Sequence, residues 1–233
     1  MYHFSSRVRF SETNEKKELA LTAVVDYFQD CSTFQTEDLE VGFSYLEPRG
    51  LTWVLSYWQI VIEEYPKLGE EIRIGTLPYD FKSFLGRRNF FLEKEGRKII
   101  KADSLWTLLD LKAMRPVKIP GELLEVYGKE EKLEMEYLPR KIPVVGKEKE
   151  ENPLKIEKHH LDCNGHVNNG QYIKIAGSFL PEEFMVKQLR AEYKKQAHLG
   201  DMIIPYCYEQ EKQFIVVLCN EQKEPYVVIE YKQ

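Results

Sequence analysis

The sequence has few cysteines and no long apolar run, and both absences narrow the class of protein. Its four cysteines (Cys31, Cys163, Cys207 and Cys219) form no CxxC pair and no dense framework, so we expect reduced thiols, as in an intracellular protein. No stretch approaches the roughly 20 apolar residues that cross a bilayer, so no membrane span is predicted. The first residues lack a basic region followed by an apolar core, so we predict no signal peptide and a cytoplasmic location.

Positive charge is not in excess either. The chain has 33 Lys and Arg residues against 38 Asp and Glu residues, a net charge of −5. This balance argues against general nucleic-acid binding, because nucleic-acid-binding proteins present a basic face. Hydrophobic residues at 43% and charged residues at 30% are ordinary for a globular protein. At 233 residues the chain can form one large domain or two small ones.

The predicted elements repeat in the same order in both halves: a strand, a helix, then a series of antiparallel strands. Helical patterns lie at 19–34 and 171–179. Between the halves, Pro-punctuated sequence rich in Glu and Lys at 114–152 predicts a linker with a short helix at 121–127. The predicted strands are 2–10, 51–63, 70–78, 83–95, 98–111, 154–160, 184–196, 201–209, 213–220 and 226–231.

One short loop carries the residues that indicate chemistry. Asp162, Asn164 and His166 alternate along the chain. If 160–166 is extended, these three side chains share one face and Cys163 points away, which predicts a packed thiol there. A carboxylate, an amide and an imidazole on one face are typical of acid–base chemistry.

The residues that follow this loop predict an oxyanion site. Asn168 and Asn169 are good N-cap residues for the helix predicted at 171–179. A helix N-terminus presents unpaired N–H groups, so we expect the backbone at Val167, Asn168 and Asn169 to bind an oxyanion. Together with the loop, these groups predict the hydrolysis of an acyl compound. A simpler interpretation makes Asp162 a turn-former and His166 a packed loop residue.

A faint internal repeat indicates duplication. The segment 68–74 (LGEEIRI) echoes 199–204 (LGDMII). The polar loop also has a predicted altered copy 150 positions earlier in the sequence. In this copy Glu12, Asn14 and Lys16 correspond to Asp162, Asn164 and His166.

Many ordered segments resemble the acyl-acyl-carrier-protein thioesterases, plant and bacterial enzymes that end fatty-acid synthesis by releasing the free acid. The segments are 53–66, 86–90, 102–106, 118–120 and 162–169. The resemblance implies an α+β fold of two tandem hotdog domains, each a long helix wrapped by an antiparallel β-sheet. It implies an N-terminal hotdog at 1–125 that binds the acyl chain, a linker at 126–150, and a catalytic C-terminal hotdog at 151–233.

The resemblance also implies a reaction and roles for the loop residues. The reaction is hydrolysis of the thioester between a fatty acyl chain and acyl carrier protein, without cofactor, by a monomer or homodimer. Asp162 is expected to be the base or the nucleophile, Asn164 to orient water or substrate, and His166 to handle protons or polarise the carbonyl. The set His159, His160, Asp162 and His166 fits no familiar zinc spacing, so no metal is expected.

One departure from the family concerns a fourth catalytic position. Plant members carry Glu then Cys where this chain has Gln196 and Ala197. An amide can position water but cannot accept its proton, so this role passes to Asp162 or His166.

The acyl-binding residues are expected among the aromatics of the first half. The candidates are Trp53, Trp58, Phe84, Phe90 and Trp106. Two other functions remain compatible with the sequence: an acyl-CoA thioesterase on the same fold, and an acyl-binding module without catalysis.

Overall fold

The computed structural model describes all of residues 1–233, which form two compact units. Unit 1 contains Met1–Ser56 and Ile62–Tyr137, and unit 2 contains Tyr57–Val61 and Leu138–Gln233. Both units combine helices with antiparallel strands, so the predicted α+β class is confirmed. None of the helices has the length and hydropathy that a membrane crossing requires.

Unit 1 places a long helix on an antiparallel sheet. Its elements are β1 (Tyr2–Arg7), α1 (Leu21–Asp38), α2 (Phe43–Leu46), β2 (Leu51–Ile62), β3 (Glu71–Lys82), β4 (Leu85–Lys94), β5 (Arg97–Asp110), β6 (Arg115–Pro116) and α3 (Gly121–Tyr127). The strand order is β1-β3-β4-β5-β2, and β6 pairs with β5. Central residues of β2, Tyr57–Val61, belong to unit 2.

The core of unit 1 lies beneath α1. Val24, Phe28 and Cys31 recur at helical spacing and are all 0% exposed, which is the pattern of a helix with one apolar face. The Phe28 ring lies 5.3 Å from that of Phe90 in β4, measured between centroids. The apolar stripe visible in the sequence therefore becomes the contact between α1 and its sheet.

Unit 2 repeats this arrangement with a shorter helix. Its remaining elements are β7 (Glu148–Glu150), β8 (Leu154–Lys155), α4 (Asn169–Gly177), β9 (Gln188–Tyr193), β10 (Met202–Gln210), β11 (Gln213–Cys219) and β12 (Pro225–Lys232). The strand order is β2-β9-β12-β11-β10-β7, and β8 pairs with β10.

The resemblance implied a long helix in both halves, which is wrong for unit 2, whereas the helical pattern at 171–179 predicted a short one. Helix α4 has 9 residues, against 18 in α1. It ends at Gly177, four positions before Pro181, and these are the residue types that stop helices. Because isolated helices this short are marginal in water, α4 depends on packing against the sheet.

Two tyrosines of the sheet attach α4. The hydroxyl of Tyr193 in β9 donates to the carbonyl of Asn169 at 3.1 Å. That of Tyr231 in β12 donates to the carbonyl of Ile173 at 3.0 Å. These bonds fix the helix that follows the polar loop, and so they hold the loop's C-terminal end in place.

Most predicted strands are present, and the differences lie in short elements. The strand predicted at 154–160 is wrong beyond β8, because 158–160 form a 3-10 turn. The sequence also did not predict α2, β6 or β7. Strand β7 falls within the predicted linker and pairs with β10, and its three residues are too few to show a strand period.

The segment 126–150 is held by specific hydrogen bonds in both units. Within unit 1, Oδ1 of the buried Asn89 accepts the N–H of Leu133 at 3.0 Å and the hydroxyl of Tyr137 at 2.9 Å. Within unit 2, Nη1 of Arg190 donates to the carbonyl of Pro139 at 3.1 Å. Hydrogen bonds therefore fix this segment within each unit although it contains little regular structure.

Candidate active site

The polar loop of unit 2 is a closed turn. Leu161 and Val167 form an isolated antiparallel bridge, and the Asp162 N–H donates to the carbonyl of His166 at 2.8 Å. Gly165 has φ of 76°, a left-handed conformation that glycine adopts without steric cost. The prediction that 160–166 is extended, with alternate side chains on one face, is therefore wrong.

The side chain of Asp162 shapes this turn. Its Oδ1 accepts the N–H groups of Asn164 at 2.9 Å and of His166 at 3.2 Å. Asp residues commonly bond their own backbone two residues on in this way. Oδ2 takes part in neither bond, so one oxygen of the half-buried carboxylate builds the turn and the other is available for chemistry.

The turn determines which side chains reach solvent. Asn164 and Cys163 are both exposed, and His166 is half-buried. The prediction of a packed Cys163 thiol is therefore wrong, because it assumed a strand in which that side chain would face inward. The turn instead presents the amide of Asn164 outward.

Unit 1 contains the same turn at residues 13–19. Oδ1 of Asn14 accepts the N–H groups of Lys16 at 2.9 Å and of Glu18 at 3.0 Å. The Asn14 N–H donates to the Glu18 carbonyl at 2.8 Å, and Lys17 has φ of 60°, as a counterpart of Gly165. The hydrogen bonds and the backbone conformation of the two loops thus agree position by position.

This agreement corrects the alignment of the two halves. The predicted offset of 150 paired Glu12 with Asp162, because it matched acid to acid. The hydrogen bonds give an offset of 148, and Glu12 falls opposite His160. The corrected pairs are Asn14 with Asp162, Lys16 with Asn164, and Glu18 with His166.

The backbone at the start of α4 is largely engaged. Oδ1 of Asn168 accepts the Gly170 N–H at 2.7 Å, which confirms Asn168 as the N-cap. The Val167 N–H donates to the carbonyl of Ala197 at 3.2 Å, and that of Asn168 to the carbonyl of His160 at 2.9 Å. These two N–H groups were predicted to bind an oxyanion, and neither is free to do so.

Removing the cap is expected to weaken unit 2. Asn168→Ala should lower the free energy of unfolding by about 1 kcal/mol, because the Gly170 N–H loses its acceptor. Urea denaturation measures the change. In unit 1 the corresponding residue, Ala20, caps α1 without a side-chain bond, so Ala20→Asn should act in the opposite direction. Unchanged stability in Asn168→Ala would contradict the role of the cap.

A second loop, at 194–198, lies against the turn. The buried Ala197 donates its N–H to the Tyr172 hydroxyl at 2.8 Å and accepts the Val167 N–H at 3.2 Å. Burial raises the pKa of Tyr172 above its ordinary value, so this hydroxyl stays protonated and keeps its anchoring role. The neighbouring Gln196 is exposed on the same loop.

Sequence reasoning missed a histidine beside the turn. The rings of His198 and His166 lie 5.2 Å apart between centroids, at an interplanar angle of 64°. The His198 N–H donates to Oδ2 of Asp201 at 2.8 Å, and this oxygen also accepts the Tyr226 hydroxyl at 3.3 Å. The one signal in the sequence was its position, two residues after Gln196.

Two other histidines contact each other. The rings of His159 and His160 lie 4.0 Å apart between centroids, at an interplanar angle of 45°. Burial lowers the pKa of His160, and the charge of His159 lowers it further. Across residues 1–233, no three His, Cys, Asp or Glu side chains are arranged to hold a metal ion.

The predicted acyl-binding aromatics occupy different environments. Phe90 is fully buried beneath α1, whereas Phe84 is 37% exposed at the turn between β3 and β4. Trp58 is fully buried in the part of β2 that belongs to unit 2. Trp53 and Trp106 are half-buried in unit 1. Their role in binding stays a prediction.

The fold is shared with solved acyl-ACP thioesterases, in which ACP is acyl carrier protein. The crystal structure of an acyl-ACP thioesterase from Bacteroides thetaiotaomicron superposes with a TM-score of 0.91 at 23% identity, covering 99% of this chain and 96% of that one. The 12:0-ACP thioesterase from Umbellularia californica gives a TM-score of 0.85 at 16% identity, with coverage of 99% and 96%.

Sequence comparison gives the family. The model of the acyl-ACP thioesterase N-terminal domain matches residues 1–127, and that of the C-terminal domain matches 145–226. A chloroplastic acyl-acyl-carrier-protein hydrolase of Cuphea viscosissima is 26% identical over 160 residues, which are 64% of this chain and 39% of that protein. The chain belongs to the acyl-ACP thioesterase family, as its motifs predicted. It spans 39 to 52% of the length of the first curated relatives that it matches.

Proposed function

We propose that this protein hydrolyses the thioester of fatty acyl-ACP and so releases a free fatty acid and ends elongation. Family membership supports the substrate class, and the carboxylate of Asp162 is the observation that carries the chemistry. Unit 1 builds the same turn with Asn14, so the turn needs an oxygen acceptor but no charge. A carboxylate kept at this position in unit 2 is therefore explained by reactivity.

We further propose that the two units are hotdog domains with separate tasks. Domain 1–125 holds the acyl chain, 126–150 is the linker, and domain 151–233 carries out hydrolysis. The division is supported by the two turns, because only that of unit 2 combines a carboxylate, an amide and an imidazole. The corresponding side chains of unit 1 are those of Asn14, Lys16 and Glu18.

The geometry supports particular roles in the turn. Oδ2 of Asp162 is the oxygen that acts as base or nucleophile. Because the N–H groups of Val167 and Asn168 are engaged, the exposed amide of Asn164 and the imidazole of His166 are the donors proposed for the oxyanion. Such donors stabilise the charge that develops on a carbonyl oxygen. A thiolate leaves readily, so the site needs little help from a general acid.

Gln196 is expected to contribute less than the turn residues. Gln196→Ala should lower kcat by less than about tenfold. Asp162→Ala and His166→Ala should each lower kcat more, because each removes a group of the kind that contributes about 10²- to 10⁴-fold to the rate. The reason is that the exposed amide of Gln196 cannot accept a proton. Thiol release under saturating substrate measures kcat. Equal losses in all three variants, with folding intact by circular dichroism, would contradict this ranking.

The proposed function is tested by thiol release from acyl-ACP and acyl-CoA substrates of varied chain length, with Asp162→Ala as the inactive control. Release from acyl-ACP that disappears in the variant supports the proposal. Faster release from acyl-CoA would make the protein an acyl-CoA thioesterase. Binding of acyl-ACP without release from any substrate would make it an acyl-binding module.

A further inference from the structure

We propose that His198 and His166 form a proton-handling pair, and that this pair accepts the proton of the attacking water. The inference rests on the proposed thioester hydrolysis. It starts from position 196, where an amide stands and no side chain can take a proton. Two residues further on, His198 brings an imidazole, the side chain best suited to proton transfer near neutral pH, into contact with His166.

The contact between the two rings is edge to face. A centroid separation of 5.2 Å and an interplanar angle of 64° lie within the range in which aromatic rings attract one another. His198 is exposed, whereas His166 is half-buried. One ring of the pair is thus open to water, while the other belongs to a residue of the turn whose backbone N–H is bound by Asp162.

Backbone hydrogen bonds hold the two segments that carry the rings. The loop of His198 is tied to the turn by the Val167 N–H bond to the Ala197 carbonyl, and to α4 by the Ala197 N–H bond to Tyr172. On the other side, the His198 N–H is bound by Asp201. A base contributes to catalysis only when its position is fixed, and these three bonds fix the backbone that carries the two rings.

The pair completes the proton balance of the reaction. Oδ2 of Asp162 attacks the thioester carbonyl carbon and the C–S bond breaks, which leaves an acyl anhydride and a thiolate. Water then adds to the acyl carbonyl carbon of the anhydride, and one of its protons passes to an imidazole nitrogen of the pair. The bond from that carbon to Oδ2 breaks, which frees the fatty acid and the Asp162 carboxylate, and the imidazolium gives its proton to the thiolate sulfur. Thioester and water thus become acid and thiol, with no oxidant or reductant, and Asp162 acts as the nucleophile while the pair acts as the base.

The test variant is His198→Phe, which keeps an aromatic ring against His166 and removes both nitrogens. We expect kcat for acyl-ACP hydrolysis to fall about 10²-fold with little change in KM, as when a general base is lost. His159→Phe is the matched control, since His159 is also an exposed histidine whose ring contacts that of another histidine. It should retain wild-type activity.

A second variant separates proton transfer from packing. Adding Gln196→Glu to His198→Phe places a carboxylate on the same loop and should recover at least about tenfold of the lost kcat, because a carboxylate can accept a proton. Full activity in His198→Phe, or no recovery in the double variant, would overturn the pair. If the unchanged protein released no thiol, the proposed hydrolysis itself would be rejected, and so would the proton-handling pair.

Discussion

Asp162→Asn is expected to lower kcat by about 10³-fold while leaving the fold intact, the largest effect of any single substitution in the site. The loss follows because an amide can neither accept a proton nor attack a carbonyl. The fold survives because Oδ1 of Asn14 accepts two backbone N–H groups in unit 1, as Oδ1 of Asp162 does in unit 2. Thiol release and the urea midpoint measure the two effects separately.

The reciprocal variant is the control for this experiment. Asn14→Asp makes the opposite exchange in an equivalent turn, and both its activity and its stability should stay close to those of the unchanged chain. If Asp162→Asn kept most of the activity, the carboxylate would not be at the reacting centre. If it unfolded the protein, the turn would need the charge after all.

The largest expected effect on stability comes from a buried ion pair in unit 2. Arg190→Met should lower the free energy of unfolding by about 3–5 kcal/mol. Nε of Arg190 donates to Oε2 of Glu230 at 2.6 Å, and Nη2 donates to Oε1 at 2.9 Å. The two side chains are 5% and 2% exposed. Removing the guanidinium leaves a buried carboxylate that keeps only the Nζ of Lys232, at 3.7 Å, as a counter-charge, and urea denaturation measures the cost.

Two further variants interpret that result. Arg190→Met combined with Glu230→Leu should regain much of the loss, because replacing both charges by apolar groups removes the buried carboxylate that lost its guanidinium partner. Lys195→Ala breaks an exposed pair with Glu224, in which both side chains are 52% exposed, and should cost less than about 1 kcal/mol. Additive losses from the two core substitutions would show that the charges are stabilised by other groups.

The sequence predicted the elements whose pattern is set by burial. The apolar spacing of Leu21, Val24, Val25 and Phe28 predicted α1, because a helix on a sheet must bury one face. Long strands of β-branched and aromatic residues were predicted for the same reason. Strand β7, with three residues, was missed because it is held by pairing with β10 and has no apolar period of its own.

The sequence placed the candidate site residues in one loop but did not predict the shape of that loop. Asp162, Asn164 and His166 were identified from their types and spacing, yet they lie in a turn whose hydrogen bonds no spacing reveals. The Val167 and Asn168 N–H groups were expected to be free, and their acceptors are carbonyls in other segments. The contact of His198 with His166 was hidden in the same way, because folding brings together two loops about thirty residues apart in sequence.

The two equivalent turns also bear on how such a protein can change during evolution. Asn and Asp have nearly the same shape and fill the same place in this loop, so exchanging one for the other leaves the backbone undisturbed. A gene encoding this fold can therefore exchange that carboxylate for an amide through one substitution and still yield a folded protein. Structural superposition would not detect such an exchange, which would be visible only in the identity of residue 162.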